Sequence, residues 1–182
     1  MNRFVFADPN LCIGCRTCEV TCVISHQEDS SLAGLDPSDF SPRLSLVQNA
    51  QTTTPIMCRQ CDDAPCAQVC PNNAIIHEDN QVKVIQSRCI GCKTCVIACP
   101  YGAMNVVTKM VEDEKATGLF KRRVPVSQAL KCDLCNHRAE GPACMQVCPT
   151  SAIKIIEPET LNETSRQKRE AAALSASLIP SL

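Results

Sequence analysis

Residues 89–100 read Cys-Ile-Gly-Cys-Lys-Thr-Cys-Val-Ile-Ala-Cys-Pro. The spacing is C-x2-C-x2-C-x3-C-P, the bacterial run that holds cubane iron–sulfur clusters. Cys89, Cys92 and Cys95 stand at three-residue steps, so a tight loop can wrap three corners of one cube. Cys99 is expected to open a short helix that points away, and so to serve a second cluster. Pro100 suits the sharp turn that follows. One such run predicts a partner run elsewhere.

The chain carries three more. Cys12, Cys15, Cys18 and Cys22 lie in CIGCRTC and the residues after it, a near copy of CIGCKTC at 89–95. No proline follows Cys22, so its helix is expected to run on through Val23 and Ile24 toward His26. Cys58, Cys61, Cys66 and Cys70 are spaced x2-x4-x3, and Pro71 follows. Cys132, Cys135, Cys144 and Cys148 are spaced x2-x8-x3, with the insertion NHRAEGPA and then Pro149. After three of the four runs comes P-x-x-A and then Ile or Met: Pro71 to Ile75, Pro100 to Met104, Pro149 to Ile153. One unit is used four times.

Between the runs the pattern predicts short strands. Phe4–Ala7 ends at the turn Asp8-Pro9-Asn10. A strand is placed at Arg43–Val47 within an otherwise irregular 25–54. Ala74–His77 and Gln81–Ile85 form a hairpin around Glu78-Asp79-Asn80. Met104–Val107 and Ala152–Ile156 follow the later runs. Residues 109–130 are charged and turn-rich and are read as a surface connection. Residues 158–182 predict a helical tail of about four turns, with Thr160 and Glu163 as a capping box.

Sixteen cysteines stand among 182 residues. Without them the 45% apolar fraction falls to about 36%, with no Trp, one Tyr and four Phe. So little large apolar surface makes a thin core, and bound metal is the natural substitute. The formal net charge is −1. Four thiolate-held cubanes would take it to about −9, which argues against nucleic acid as a partner. The opening MNRFVFADPN shows no long apolar stretch and no cleavage site. The pair Arg122–Arg123 is internal and reads as no export signal. No run of 18 apolar residues occurs, so no membrane span is expected. The cytosol, where thiols stay reduced, is the expected compartment.

Four groups of four cysteines predict four [4Fe–4S] clusters, with the fourth cysteine of each run serving the paired run. The second and third groups are separated only by a hairpin and should pair. That gives one cluster on Cys58, Cys61, Cys66 and Cys99, and one on Cys89, Cys92, Cys95 and Cys70. The first and fourth groups then pair, with Cys12, Cys15, Cys18 and Cys148 on one cluster. Cys132, Cys135, Cys144 and Cys22 hold the other. Zinc favours pairs of C-x2-C hooks in tetrahedral sites, and three-residue steps suit a cube better. A disulfide scaffold needs an oxidising compartment. A [3Fe–4S] site usually lacks one cysteine, and none is missing. Gly14 and Gly91, each before a second cysteine, are expected to take φ > 0 and aim N–H groups at the cluster. Arg16 and Lys93 are expected to face solvent. His26, His77 and His137 stand alone in sequence and carry no assigned role. No Ser-His-Asp set, phosphate loop or dinucleotide fingerprint is present, so no catalytic residue is assigned.

With these ligands placed, the chain resembles the four-cluster electron-transfer subunits of molybdopterin oxidoreductases. MNRF, CIGCRTCEV, CRQCDDAPC, CIGCKTCVIACPYGAM and KCDLCNHR with GPAC are most similar to the small ferredoxin-like proteins of formate metabolism. These are the HydN and HycB type, which work with formate dehydrogenase H and formate hydrogenlyase. The resemblance covers about residues 1–157. It implies an α+β chain of two ferredoxin-like folds of the bacterial two-cluster type. One is continuous over 52–108; the other is split over 1–51 and 109–157. It also implies a catalytic partner with a molybdenum or tungsten pterin centre, a formate dehydrogenase, and a hydrogenase or further iron–sulfur subunit as acceptor. The chain itself would be non-catalytic. Other readings are an assembly or maturation factor for the same enzyme, a subunit of a different molybdoenzyme, and a zinc-binding interaction module.

Overall fold

The computed structural model describes residues 2–27, 35, 37, 40–112 and 123–177. Among these residues the fold mixes helices with four separate two-stranded antiparallel sheets. Strand β1 (Phe4–Ala7) pairs with β8 (Ile153–Ile156), in the register Phe4 to Ile156 and Ala7 to Ile153. Strand β2 (Ser45–Gln48) pairs with β3 (Thr53–Ile56). Strands β4 (Ile75–Glu78) and β5 (Gln81–Val84) make a tight hairpin. Its two turn residues, Asp79 and Asn80, have φ of 52° and 56°. That is the double left-handed turn whose twist matches a hairpin, and Asp and Asn tolerate it. The longest ribbon joins β6 (Asn105–Glu112) to β7 (Arg123–Leu130).

Four short helices carry cysteines: α1 (Thr17–Ile24), α2 (Pro65–Gln68), α3 (Thr94–Ala98) and α4 (Ala143–Gln146). Helix α1 packs against α4, and α2 against α3. Each pair joins two cysteine runs. Two apolar clusters follow the same division. One contains Val5, Ala7, Leu44, Met57, Leu134 and Ile153 around Cys18, Cys22, Cys132 and Cys144. The other contains Ala64, Ile75, Val82, Met104 and Ala129 around Cys66 and Cys95. Leu44 and Met57, which flank hairpin β2–β3, belong to the first cluster, whereas Val106 and Ala129 of ribbon β6–β7 pack in the second.

Several local expectations change. Cys99 closes a helix rather than opening one. It caps the C-terminus of α3 with φ −75° and ψ 113°. Pro100 is the reason, because its ring disfavours the helical region for the residue before it. Helix α1, with no proline, runs to Ile24 and its cap at Ser25. The stretch 109–130 is not a plain connection: 109–112 and 123–130 are strand. A two-stranded ribbon needs no apolar face pattern of its own, so charged residues hid it. Pro125 is tolerated because every strand of such a ribbon is an edge. Strand β3 begins inside the stretch 25–54 that the sequence marks as largely irregular. The tail helix α5 (Pro158–Ser177) begins two residues before Thr160. Proline suits its first turn. Glu163 then turns to Arg166 and Gln167 instead of capping. Parts of the expected connections, 28–34, 36, 38–39 and 113–122 with Arg122, and the end of the tail lie outside the described residues.

Candidate iron–sulfur sites

All sixteen cysteines are free thiols. Cys58, Cys61, Cys66 and Cys99 line one cavity with Val82, Met104 and Lys131. Cys70, Cys89, Cys92 and Cys95 line a second with Ile75 and Val84. Cys12, Cys15, Cys18 and Cys148 line a third with Leu46 and Ile153. In each cavity three sulfurs come from one run and the fourth from another. Cys22, Cys132, Cys135 and Cys144 form a fourth group. Cys22, Cys132 and Cys144 share one apolar cluster, which also takes in Cys18; Cys135 lies close enough to Cys22 and Cys144 for its charge to be felt at both, and all four are buried. The groups differ in depth. Cys15 and Cys92 reach the surface, whereas the Cys132 group does not.

The loops are shaped by backbone conformation. Gly14 and Gly91 have φ of 72° and 71°, and Arg16 and Lys93 follow at 61° and 63°. Alternating left-handed residues turn successive N–H groups inward, the geometry of an anion nest. Arg16 and Lys93 themselves face solvent. Sulfur also receives direct donors. Arg43 N–H donates to Cys22 Sγ at 3.3 Å, Gln60 N–H to Cys58 Sγ at 3.4 Å, and Ala74 N–H to Cys70 Sγ at 3.3 Å. Thr17 and Thr94 hydroxyls donate to Cys15 and Cys92 at 3.3 and 3.4 Å, the same contact made twice by the repeat.

Gly91 also sits under ribbon β6–β7. A Cβ there would lie 2.5 Å from Ser127 Cβ, whereas one on Gly102, at φ 61°, would meet nothing within 4 Å. Gly91→Ala should therefore cost about 3 kcal/mol, combining a left-handed alanine with overpacking. Gly102→Ala should cost only about 1 kcal/mol. Thermal unfolding of the loaded chains measures both. Equal costs would remove the steric argument.

Burial dominates the thiol chemistry. It pushes Cys18 and Cys66 up to about 11, and Cys132 to about 12. Burial raises Cys22 to about 12 against the pull of the Arg43 N–H, with Cys132 and Cys135 adding to the rise. Cys144 is pushed higher still by burial and by Cys132, Cys22 and Cys135. At the surface the thiol of Cys92 is lowered, chiefly by the Thr94 hydroxyl. Four thiols crowded in an apolar cage resist ionising together. A cationic metal core removes that resistance, because it neutralises the thiolates as they form.

A polar brace that sequence reading missed surrounds the deepest group. His26 Nδ1 lies 2.7 Å from the Cys22 carbonyl oxygen, and Nε2 lies 3.0 Å from Asp133 Oδ1. The Ser25 hydroxyl also lies 3.2 Å from Nδ1, so the ring is held from both sides. Arg43 also pairs with Asp133. Burial pushes the Asp133 carboxyl up, yet the His26 hydrogen bond and the Arg43 charge outweigh it and hold the group at about 2. His137 Nε2 donates to the Ser25 carbonyl at 2.6 Å, and its ring meets that of His26 edge-on at 4.7 Å. The two histidines and Asp133 bring their ligand atoms within 4.8 Å of one another. His26 and Asp133 already spend these atoms on hydrogen bonds, and the trio ties helix α1 to the Cys132–Cys135 loop. His77, by contrast, is exposed on β4. Two more buried polar residues were missed, Glu19 and Gln60. Glu19 accepts from Leu46 N–H at 2.8 Å, tying α1 to β2. Gln60 donates to the Cys132 carbonyl at 2.8 Å. No spacing rule points to either residue.

The donor set fits [4Fe–4S] clusters: sulfur only, in fours, in apolar cages lined with backbone donors. Comparison with known proteins agrees. Residues 55–110 match the family described as LdpA Fe-S cluster-binding domain. Residues 88–152 match the 4Fe-4S dicluster domain, and 9–22 a 4Fe-4S binding domain. The electron transport protein HydN of Escherichia coli (strain K12) is 53% identical over 174 residues, covering 96% of this chain and 99% of that one. Formate hydrogenlyase subunit 2 of the same strain is 38% identical over 188 residues, covering 93% and 89%. No described helix is long and apolar enough to cross a membrane. The cysteine runs and the full-length likeness together place this chain in the HydN family of 4Fe–4S electron transport proteins.

Proposed function

We propose that the chain relays electrons through four [4Fe–4S] clusters between a molybdenum or tungsten formate dehydrogenase and a hydrogenase or another acceptor, in the cytoplasm. The observation that carries this is the gathering of sixteen cysteines into four groups of four, each with a fourth sulfur from another run. The formate side rests on the likeness to formate hydrogenlyase subunit 2. The proposed ligand sets are Cys12, Cys15, Cys18 and Cys148; Cys132, Cys135, Cys144 and Cys22; Cys58, Cys61, Cys66 and Cys99; and Cys89, Cys92, Cys95 and Cys70. The first two sets belong to a split ferredoxin-like unit, 1–51 with 109–157. The last two belong to a continuous one, 52–108.

A bound cluster supplies a one-electron carrier. The chain's own residues do the rest. Cysteine thiolates anchor each cage, and N–H and hydroxyl donors from Arg43, Gln60, Ala74, Thr17 and Thr94 spread the negative charge on sulfur. Apolar neighbours such as Val82, Met104 and Ile153 keep water from the cages. Surface loops around Cys15 and Cys92 offer places where electrons can enter and leave.

Anaerobic affinity purification of the chain from its native cells tests the proposal, with formate-dependent viologen reduction as the assay. Activity should co-purify with a molybdenum- or tungsten-containing protein. An iron-loaded chain whose absence leaves that enzyme fully active in electron delivery would point to an assembly role and overturn the relay.

A further inference from the structure

Lys131 stands at the step from β7 into the fourth cysteine run and is only 3% exposed. Its Nζ donates to the Cys132 carbonyl oxygen at 3.0 Å and to Gln60 Oε1 at 3.2 Å. Both acceptors are neutral. Among the described residues no carboxylate pairs with it. Gln60 is 1% exposed, and its amide is held in one orientation. Val82 N–H donates to its oxygen at 2.9 Å, and its own Nε2–H donates to the Cys132 carbonyl at 2.8 Å. The oxygen therefore faces the ammonium.

A buried ammonium held only by neutral oxygens is poorly compensated for the water it has lost. Negative charge must come from elsewhere, and two cysteine groups flank it. Lys131 lines the cavity of Cys58, Cys61, Cys66 and Cys99. It also directly precedes Cys132 in the chain. Cys58 packs against the apolar cluster holding Cys22, Cys132 and Cys144, so the two groups are neighbours. No other lysine is buried among the described residues. Arg16 and Lys93, near the other two groups, face solvent and are screened. Arg43 is already paired with Asp133.

We propose that Lys131 is a fixed positive charge shared by these two neighbouring groups, raising the reduction potentials of both clusters they hold. The proposal rests on the reading that the two groups ligate [4Fe–4S] clusters. Reduction adds one negative charge to a cluster. In a low-dielectric interior a nearby cation stabilises that charge far more than a surface one does. Lys131 acts as a positioning residue for electrons: it makes the two clusters beside it easier to reduce, as a pair, than they would be without it.

The test is an EPR-monitored redox titration of the full chain, loaded anaerobically, with iron and sulfide counted in every preparation. In Lys131→Met two of the four midpoint potentials should move to more negative values and two should stay. Lys131→Arg should keep all four near the parent. A fully loaded Lys131→Met with parental potentials would overturn the proposal alone. A parent chain without clusters would overturn the cluster reading and the proposal with it, and iron analysis tells the two failures apart. Where Lys131→Met loses iron, Gln60→Glu supplies the same information by setting a carboxylate against the retained lysine. The same two potentials should then fall, and unchanged potentials would overturn the proposal.

Discussion

Replacing Cys70 with alanine should strip iron from the cage of Cys89, Cys92 and Cys95 and leave that of Cys58, Cys61 and Cys66 loaded. The reason is the path of the chain after α2. Helix α2 ends at Gln68 with its cap at Val69, and Pro71 prevents its continuation. Cys70 is thereby turned into the cavity lined by Cys89, Cys92 and Cys95, with Ala74 N–H bound to its sulfur. Its own run closes on Cys99 instead. A [4Fe–4S] cube needs four ligands, so one missing thiolate should remove roughly a quarter of the iron and one EPR signal of the four. Cys99→Ala should do the converse. Loss of the Cys58-side signal in Cys70→Ala would show that each run serves its own cluster.

Removing iron from the whole chain should abolish cooperative unfolding. Each sheet is a two-stranded pair, and such a pair is marginal in water on its own. The buried apolar residues are mostly small: cysteines and alanines outnumber the rest, and Val5 and Val82 are the only large apolar side chains fully buried among the described residues. Strand β1 must find β8 across nearly the full described chain, a closure whose entropy a few small contacts cannot repay. Structural metal sites contribute on the order of 10 kcal/mol each to folding. Net domain stability is only about 5–15 kcal/mol. Losing the clusters therefore removes more than the margin. Chelation followed by calorimetry and circular dichroism measures this. A cooperative melt from an iron-free sample would show that the apolar clusters suffice.

The cysteine spacing and the prolines behind it determined that this is a 4Fe–4S protein, because those features act over a few residues. Three thiols at three-residue steps set the loop. Gly14 and Gly91 supply its positive φ. Pro71, Pro100 and Pro149 stop the short helices by removing a donor and constraining the residue before. Most of the short strands were legible for the same reason, since each lies directly against a turn or a run. Of the ribbon β6–β7 only the start, 105–107, was legible, because the charged residues beyond it give no apolar face pattern. The polar network around the cysteine groups was decided only by tertiary structure. His26 meets Asp133 across 107 residues, His137 meets Ser25 across 112, and Lys131 meets Gln60 across 71. Each is an ordinary polar residue by local pattern. Whether it is a solvated charge or a buried one depends on what packs over it, and that is set by contacts no local spacing encodes. The residue types that hold iron are written in sequence order. The fixed charge placed between two cages exists only where the folded chain brings Gln60, Lys131 and Cys132 together.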